Sequence, residues 1–221
     1  MGSEPRILRA QDVPAQPWRN GGGQTRELLV WPGRGRPGSG GGSYPWQLRI
    51  SLAEVSGNGP FSFYPGVQRW FAVVQGMGVR LAFPGAVHRV DASSAPLHFA
   101  GELPVDCELL DGPTRDLNLM TAGGAGHMRA ARAGRLWRSE LPQRGIFTRV
   151  AGIWSDDRGR RRFLAAYSLL WMDIAAGSAW DFQPGISDEA DPDDALDWGG
   201  SGDGPPGWWL GFGPGEGIAQ Q

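Results

Sequence analysis

The sequence predicts an all-β chain of short strands, and three observations carry that expectation. Its 36 Gly and 18 Pro among 221 residues cut it into short segments, which suits strands and turns and disfavours long helices. Residues Trp46-Gln47-Leu48-Arg49-Ile50-Ser51-Leu52-Ala53-Glu54 alternate apolar and polar side chains, the period of a strand with two unlike faces. Short apolar segments separated by turn residues then recur along the chain, as in a sandwich or barrel.

Taken in order, residues 17–27 read PWRNGGGQTRE, and the low-complexity stretch 33–43, GRGRPGSGGGS, reads as a mobile loop. In the strand 46–54, Leu48, Ile50 and Leu52 share a face with Trp46 and Glu54, while Gln47, Arg49 and Ser51 take the other. The turn signal GNGP follows at 57–60. Trp70–Val74 and Val79–Phe83 flank the tight segment Gln75-Gly76-Met77-Gly78, and a hairpin is expected there. Two more short strands, split by Asp111-Gly112-Pro113-Thr114, are expected between Val105 and Thr121. Further strands are expected at Gly145–Val150, Phe163–Ile174 and Gly207–Phe212. Tyr167–Ile174 also fits a buried helical turn, because periodicity does not separate the two in so short a run. Residues 184–207, rich in Asp, Gly and Pro, read as a solvated insertion, since their carboxylates lack the spacing of a calcium loop.

The net charge of -2 gives no electrostatic pull toward nucleic acid or an anionic membrane, so neither is expected as a partner. The 21 basic residues are all Arg, which fits coding bias or a preference for bidentate anion contacts. The single cysteine, Cys107, has no partner for an internal disulfide and sits between acidic neighbours, so it reads as a packing residue. The first residues lack the apolar core of a signal peptide, and no run has the length of a membrane span. A cytoplasmic protein is the expectation.

Several residues invite a binding role. The glycines of Trp18-Arg19-Asn20-Gly21-Gly22-Gly23 form either an amide nest for an anion or a flexible turn, with Thr25 just beyond. Arg49, in an otherwise apolar strand, is a bidentate clamp for a carboxylate if its face lines a barrel and means little if that face is solvated, whereas Glu54 either joins an internal ion pair, with Arg49's neighbours or Arg69, or accepts from a ligand N–H. Arg69 is a second such cation. Asp116 and Asn118 share one face by period two, and that face meets either solvent or a cavity. No catalytic triad is legible, because a Ser or Cys nucleophile needs a His base and an acid in reach.

The hairpin at Val73-Val74-Gln75-Gly76-Met77-Gly78 looks like the first motif of cupin jelly rolls, but Tyr64-Pro65-Gly66-Val67-Gln68-Arg69 stands where metal-ligating His and Glu belong. His88, His98 and His127 lack ligand spacing, so neither metal nor cofactor is expected. More specifically, the chain resembles the HutD/Ves family. The resemblance rests on Pro17-Trp18-Arg19-Asn20-Gly21-Gly22-Gly23, Thr25-Arg26-Glu27, the 46–55 strand, Gly59-Pro60-Phe61-Ser62, Arg69-Trp70 and Leu110–Met120, in family order across residues 17–121. It implies a bicupin: two cupin-like double-stranded β-helix barrels, residues 1–125 and 126–221, without the usual metal ligands. It also implies a modulator of histidine utilisation that senses a carboxylate intermediate, N-formylglutamate or urocanate. The ligand-binding residues expected are Trp18, Asn20, Gly21, Gly22, Thr25, Arg49, Glu54, Arg69 and Asn118. The alternative is an isomerase or hydrolase with Glu54 as general base. Exposed sheet edges would also allow a homodimer.

Overall fold

The computed structural model describes residues 4–32, 44–173, 177–185 and 204–214. The low-complexity stretch 33–43 and most of the acidic insertion lie outside them. Among the described residues the regular elements are strands, with one 3-10 turn at Ala10–Asp12. The strands are β1 (Arg6–Arg9), β2 (Ala15–Pro17), β3 (Gly23–Trp31), β4 (Leu48–Val55), β5 (Gly59–Pro60), β6 (Gln68–Gln75), β7 (Val79–Phe83), β8 (Ala86–Val90) and β9 (Leu97–Ala100). They continue as β10 (Asp106–Leu109), β11 (Thr114–Thr121), β12 (Ala125–Ala130), β13 (Gln143–Thr148), β14 (Gly152–Asp156), β15 (Arg161–Leu164), β16 (Ser168–Asp173), β17 (Trp180–Pro184) and β18 (Gly207–Gly213). Tyr167 begins no helix; β16 is extended through Asp173.

Among the described residues, Pro14–Gly126 pack as one compact unit, and the residues before Pro14 with most of those after Gly126 pack as a second. The N-terminal unit holds a six-stranded sheet, β2-β3-β4-β11-β6-β9, and a four-stranded sheet, β5-β10-β7-β8. A core drawn from both sheets includes Phe71, Val73, Val79, Leu81 and Phe99. Cys107 belongs to that core, and burial pushes its thiol up to about 12, so it packs as a small apolar residue.

The central strands show how alternation builds a two-faced wall. Across β4 and β11, Leu52 opposes Leu117 and Ile50 opposes Leu119, and all four are buried. On the other face Ser51 opposes Asn118, Ala53 opposes Asp116 and Arg49 opposes Met120. Residues directly opposite in a ladder share a face, so this register lines up the polar side chains of two strands.

The expected hairpin at residues 70–83 does not form. Strand β6 pairs with β11 and β9, whereas β7 pairs with β10 and β8. The Gly76-Met77-Gly78 segment instead carries the chain from one sheet to the other. Both glycines have positive φ, at 97° and 102°, and a Cβ on either would lie 2.5 Å from a backbone carbonyl oxygen. The Asp111–Pro113 turn makes the same kind of corner between β10 and β11. Corners of this sort close a sandwich around its core.

The C-terminal unit holds a five-stranded sheet, β1-β16-β13-β18-β12, and a three-stranded sheet, β15-β14-β17. Strand β1 therefore joins this unit, pairing Arg6 with Trp171 and Arg9 with Ser168, although the sequence division assigns residues 1–125 to the first barrel. The core is rich in tryptophan: Trp137, Trp154, Trp180 and Trp209 are buried with Ile146, Leu170 and Phe182. Trp137 and Trp209 stack at 5.0 Å with planes 2° apart, and Trp154 meets Trp180 edge-on at 5.1 Å.

Candidate functional site

The N-terminal unit holds a solvent-open cavity of about 440 Å³, within the range of small-molecule sites. Its wall is the polar face of the six-stranded sheet. Arg49, Ser51, Ala53 and Val55 come from β4, Asp116, Asn118 and Met120 from β11, and Arg69 and Phe71 from β6. Trp18, Arg19 and Asn20 close one side and Phe61, Ser62 and Tyr64 another.

Arg69 is the central charge. Its residue is 9% exposed, and its guanidinium carbon lies 4.0 Å from the centre of the Phe61 ring, with Phe99 at 5.6 Å and Phe71 at 5.9 Å. Its Nε donates to Asn118 Oδ1 at 2.8 Å. No carboxylate among the described residues lies within ion-pair distance of it. Burial lowers its pKa to about 10, with Tyr64 and Asp116 pulling the other way, so it stays cationic at neutral pH. Arg49 is held differently. It pairs with Glu27 at 3.1 Å and donates from Nη1 to the Tyr64 hydroxyl at 3.2 Å.

Asp116 is the cavity's carboxyl, buried to 0% exposure. Its Oδ2 accepts from the Thr114 hydroxyl at 3.0 Å. Burial raises its pKa from 3.8 to about 7, against the opposing pull of Thr114 and Arg69. The raised folded value fixes the sign of its effect on stability. What Asp116 contributes is fully present below about pH 4 and is lost as pH climbs through about 7. Asp116→Asn is therefore expected to gain stability over the parent at pH 8 and little or nothing at pH 4. Urea midpoints at the two pH values measure this; parallel pH profiles would contradict it.

Six of the nine expected binding residues line this cavity: Trp18, Asn20, Thr25, Arg49, Arg69 and Asn118. Trp18 and Thr25 are joined by an indole Nε1 to Oγ1 hydrogen bond of 2.8 Å. The other three lie elsewhere. The Gly21 amide donates to Trp18 O and the Gly22 amide to Asn20 Oδ1, each at 3.1 Å, so these groups close a turn and leave no nest for an anion. Glu54 sits on the opposite face of β4, bonded by Gln24 and paired with Arg26 at 3.4 Å and Arg115 at 3.9 Å. A general-base role for Glu54 in the cavity is thereby overturned. Ser51, Phe61, Tyr64, Phe71 and Asp116 line the cavity and are additions to the expected set. Alternation with Arg49 and Asn118 signals Ser51 and Asp116. Phe61 and Tyr64 stand on an irregular segment that has no period to read.

The histidines stay apart. His88 packs on Phe83, His98 stacks on Trp70 at 4.2 Å and His127 packs on Trp137. Among the described residues no group of three or more His, Cys, Asp or Glu side chains is placed to hold a metal ion, and no helix is long and apolar enough to cross a membrane.

The HutD family model matches residues 10–183, most of the chain. The chain belongs to the HutD family. A relative in Pseudomonas putida, described as an uncharacterised 21.2 kDa protein in the hutC 3' region, is 42% identical over 120 residues. That match covers 54% of this chain and 60% of the relative, under two thirds of its length. Protein Ves of Citrobacter koseri is 30% identical over 162 residues, covering 73% of this chain and 80% of Ves. The crystal structure of a conserved Pseudomonas aeruginosa protein of unknown function superposes with a TM-score of 0.73 at 28% identity, covering 96% of this chain and all of that one. In fold alone, HutD from Pseudomonas fluorescens SBW25 matches with a TM-score of 0.72 at 22% identity, over 95% of this chain and 98% of that one. A salicylate 1,2-dioxygenase from Pseudoaminobacter salicylatoxidans matches at 0.51 and 12%, over 95% and 82%. The HutD-family fold here is all-β and cupin-like.

Proposed function

We propose that this HutD-family protein binds a small carboxylate metabolite in its N-terminal cavity and acts as a modulator of histidine utilisation, not as an enzyme. The observation that carries this reading is Arg69: a nearly buried cation, fixed by Asn118 and Phe61, with no counterion of its own among the described residues. A buried charge without a partner is costly, and an organic anion entering the cavity would offset that cost. The guanidinium presents a fork matched to a carboxylate. Phe61, Phe71, Val55 and Met120 offer apolar walls for a short carbon skeleton. The hutC-region description of the Pseudomonas putida relative supports the link to histidine breakdown. N-formylglutamate and urocanate are the ligands this reading favours. It also takes the two units as two cupin-like barrels, each with two sheets and its own core.

Calorimetric titration of the full chain with N-formyl-L-glutamate, urocanate and glutarate tests the reading. Saturable binding of at least one probe, recovered chemically unchanged, is expected. Absence of saturable binding across the panel would overturn the carboxylate reading, and turnover of a probe would replace the modulator with an enzyme.

A further inference from the structure

A carboxylate clamp accounts for Arg69 and leaves a second buried polar group of the cavity without a role. Asp116 lies on β11 two residues before Asn118, on the same face, and both line the cavity. Thr114 occupies its Oδ2, while its Oδ1, also buried, has no hydrogen-bond partner among the described residues. An unpaired buried acceptor is a standing cost that a donor on a ligand would relieve. The local backbone is irregular at this residue: the β11–β6 register shifts between Arg115 and Asp116. Such bulges re-aim side chains, often beside binding sites.

We propose that Asp116 reads a hydrogen-bond donor on the ligand, so that the cavity selects carboxylic acids that also carry an N–H close to the carboxylate. This rests on Arg69 holding the carboxylate. Spacing supports the pairing of the two residues. Arg69 is tied through Nε to the Asn118 side chain, and Asp116 is one pleat repeat along the same strand, on the order of 7 Å between Cα atoms. A ligand bridging the two needs its carboxylate and its donor only a few bonds apart. An acylamino diacid or an azole-bearing acrylic acid has that layout; a plain dicarboxylate lacks the donor. Sites built to hydrogen-bond a donor reject analogues without it strongly, because the buried protein group is then left unpaired.

Two matched probe pairs test the assignment by calorimetry on the full chain. One pair is N-formyl-L-glutamate and N-formyl-N-methyl-L-glutamate. The other is urocanate and the oxazole analogue in which the ring N–H is replaced by oxygen. In each pair whose donor-bearing probe binds, that probe is expected to bind on the order of 30-fold or more tighter than its donor-free partner. In Asp116→Ala that ratio is expected to fall to roughly 3-fold or less, with the donor-free probe little changed. Equal binding within both pairs would overturn the role of Asp116 and leave the Arg69 clamp standing. A penalty for the N-methyl probe with none for the oxazole would mark crowding and also overturn it. Failure of every probe to bind would remove the clamp reading and this inference together. If Asp116→Ala fails to fold, the wild-type ratios decide alone.

Discussion

Arg69→Met is expected to weaken binding of the carboxylate probe by roughly 30-fold to several thousand-fold while leaving the melting temperature unchanged or raised. The two halves of this expectation have separate causes. Truncating one partner of a desolvated, hydrogen-bonded charge pair costs about 2–5 kcal/mol of affinity, because the other charge stays buried and unpaired. In the ligand-free protein no such pair exists, since Arg69 meets no carboxylate at ion-pair distance among the described residues. Its removal loses the bond to Asn118 and the contact with Phe61. Each is worth on the order of 1 kcal/mol. Against this, a buried cation with no carboxylate at ion-pair distance among the described residues is removed, and Met fills a similar volume among Phe61, Phe71 and Phe99. Calorimetry and thermal unfolding of the same preparation separate the effects. Parallel loss of stability and binding would mark Arg69 as a structural residue.

Trp180→Ala is expected to be the most damaging change in the C-terminal unit, costing about 3–5 kcal/mol of stability. Trp180 is fully buried and packs at 5.1 Å from Trp154, 5.5 Å from Trp137 and 6.1 Å from Trp209. The guanidinium of Arg144 sits 5.3 Å from its ring. Truncation opens a cavity at the point where these rings converge, and the partners are held by sheets that cannot collapse inward. Trp180→Phe is the informative control. The indole Nε1 has no hydrogen-bond partner among the described residues, so Phe forfeits volume without orphaning a donor, and a loss of roughly 1–2 kcal/mol is expected. Urea unfolding measures both. An alanine variant as stable as the phenylalanine one would show that ring packing at this position contributes little.

What the sequence made legible is the parity of its strands. The alternation in 46–54 separates Leu48, Ile50 and Leu52 from Arg49 and Ser51, and the two sets occupy opposite faces of β4. The same parity, followed through, separates Glu54 from Arg49 and joins Asp116 to Asn118. Glu54 therefore belongs with Leu52 and not with the cavity, and Asp116 belongs in it. Partner choice was not legible. A Gly-x-Gly turn between two apolar strands fits a hairpin and a sheet-to-sheet corner equally well, because local sequence does not encode which edge a strand meets. The glycine loop failed for a related reason. Whether Gly21 and Gly22 offer free amides depends on where Trp18 O and the Asn20 side chain sit, and only the folded turn fixes that. The pairing of β1 with β16 is likewise a contact between distant parts of the chain, beyond the reach of any sequence window.

The most direct measurement is a crystal structure of the protein soaked with N-formyl-L-glutamate. The ligand carboxylate is expected against the terminal nitrogens of Arg69, at about 2.7–2.9 Å, in the cavity walled by Phe61 and Asn118. A carboxylate seated elsewhere, or an Arg69 guanidinium turned away from the cavity and paired with the protein's own carboxyl groups, would contradict it.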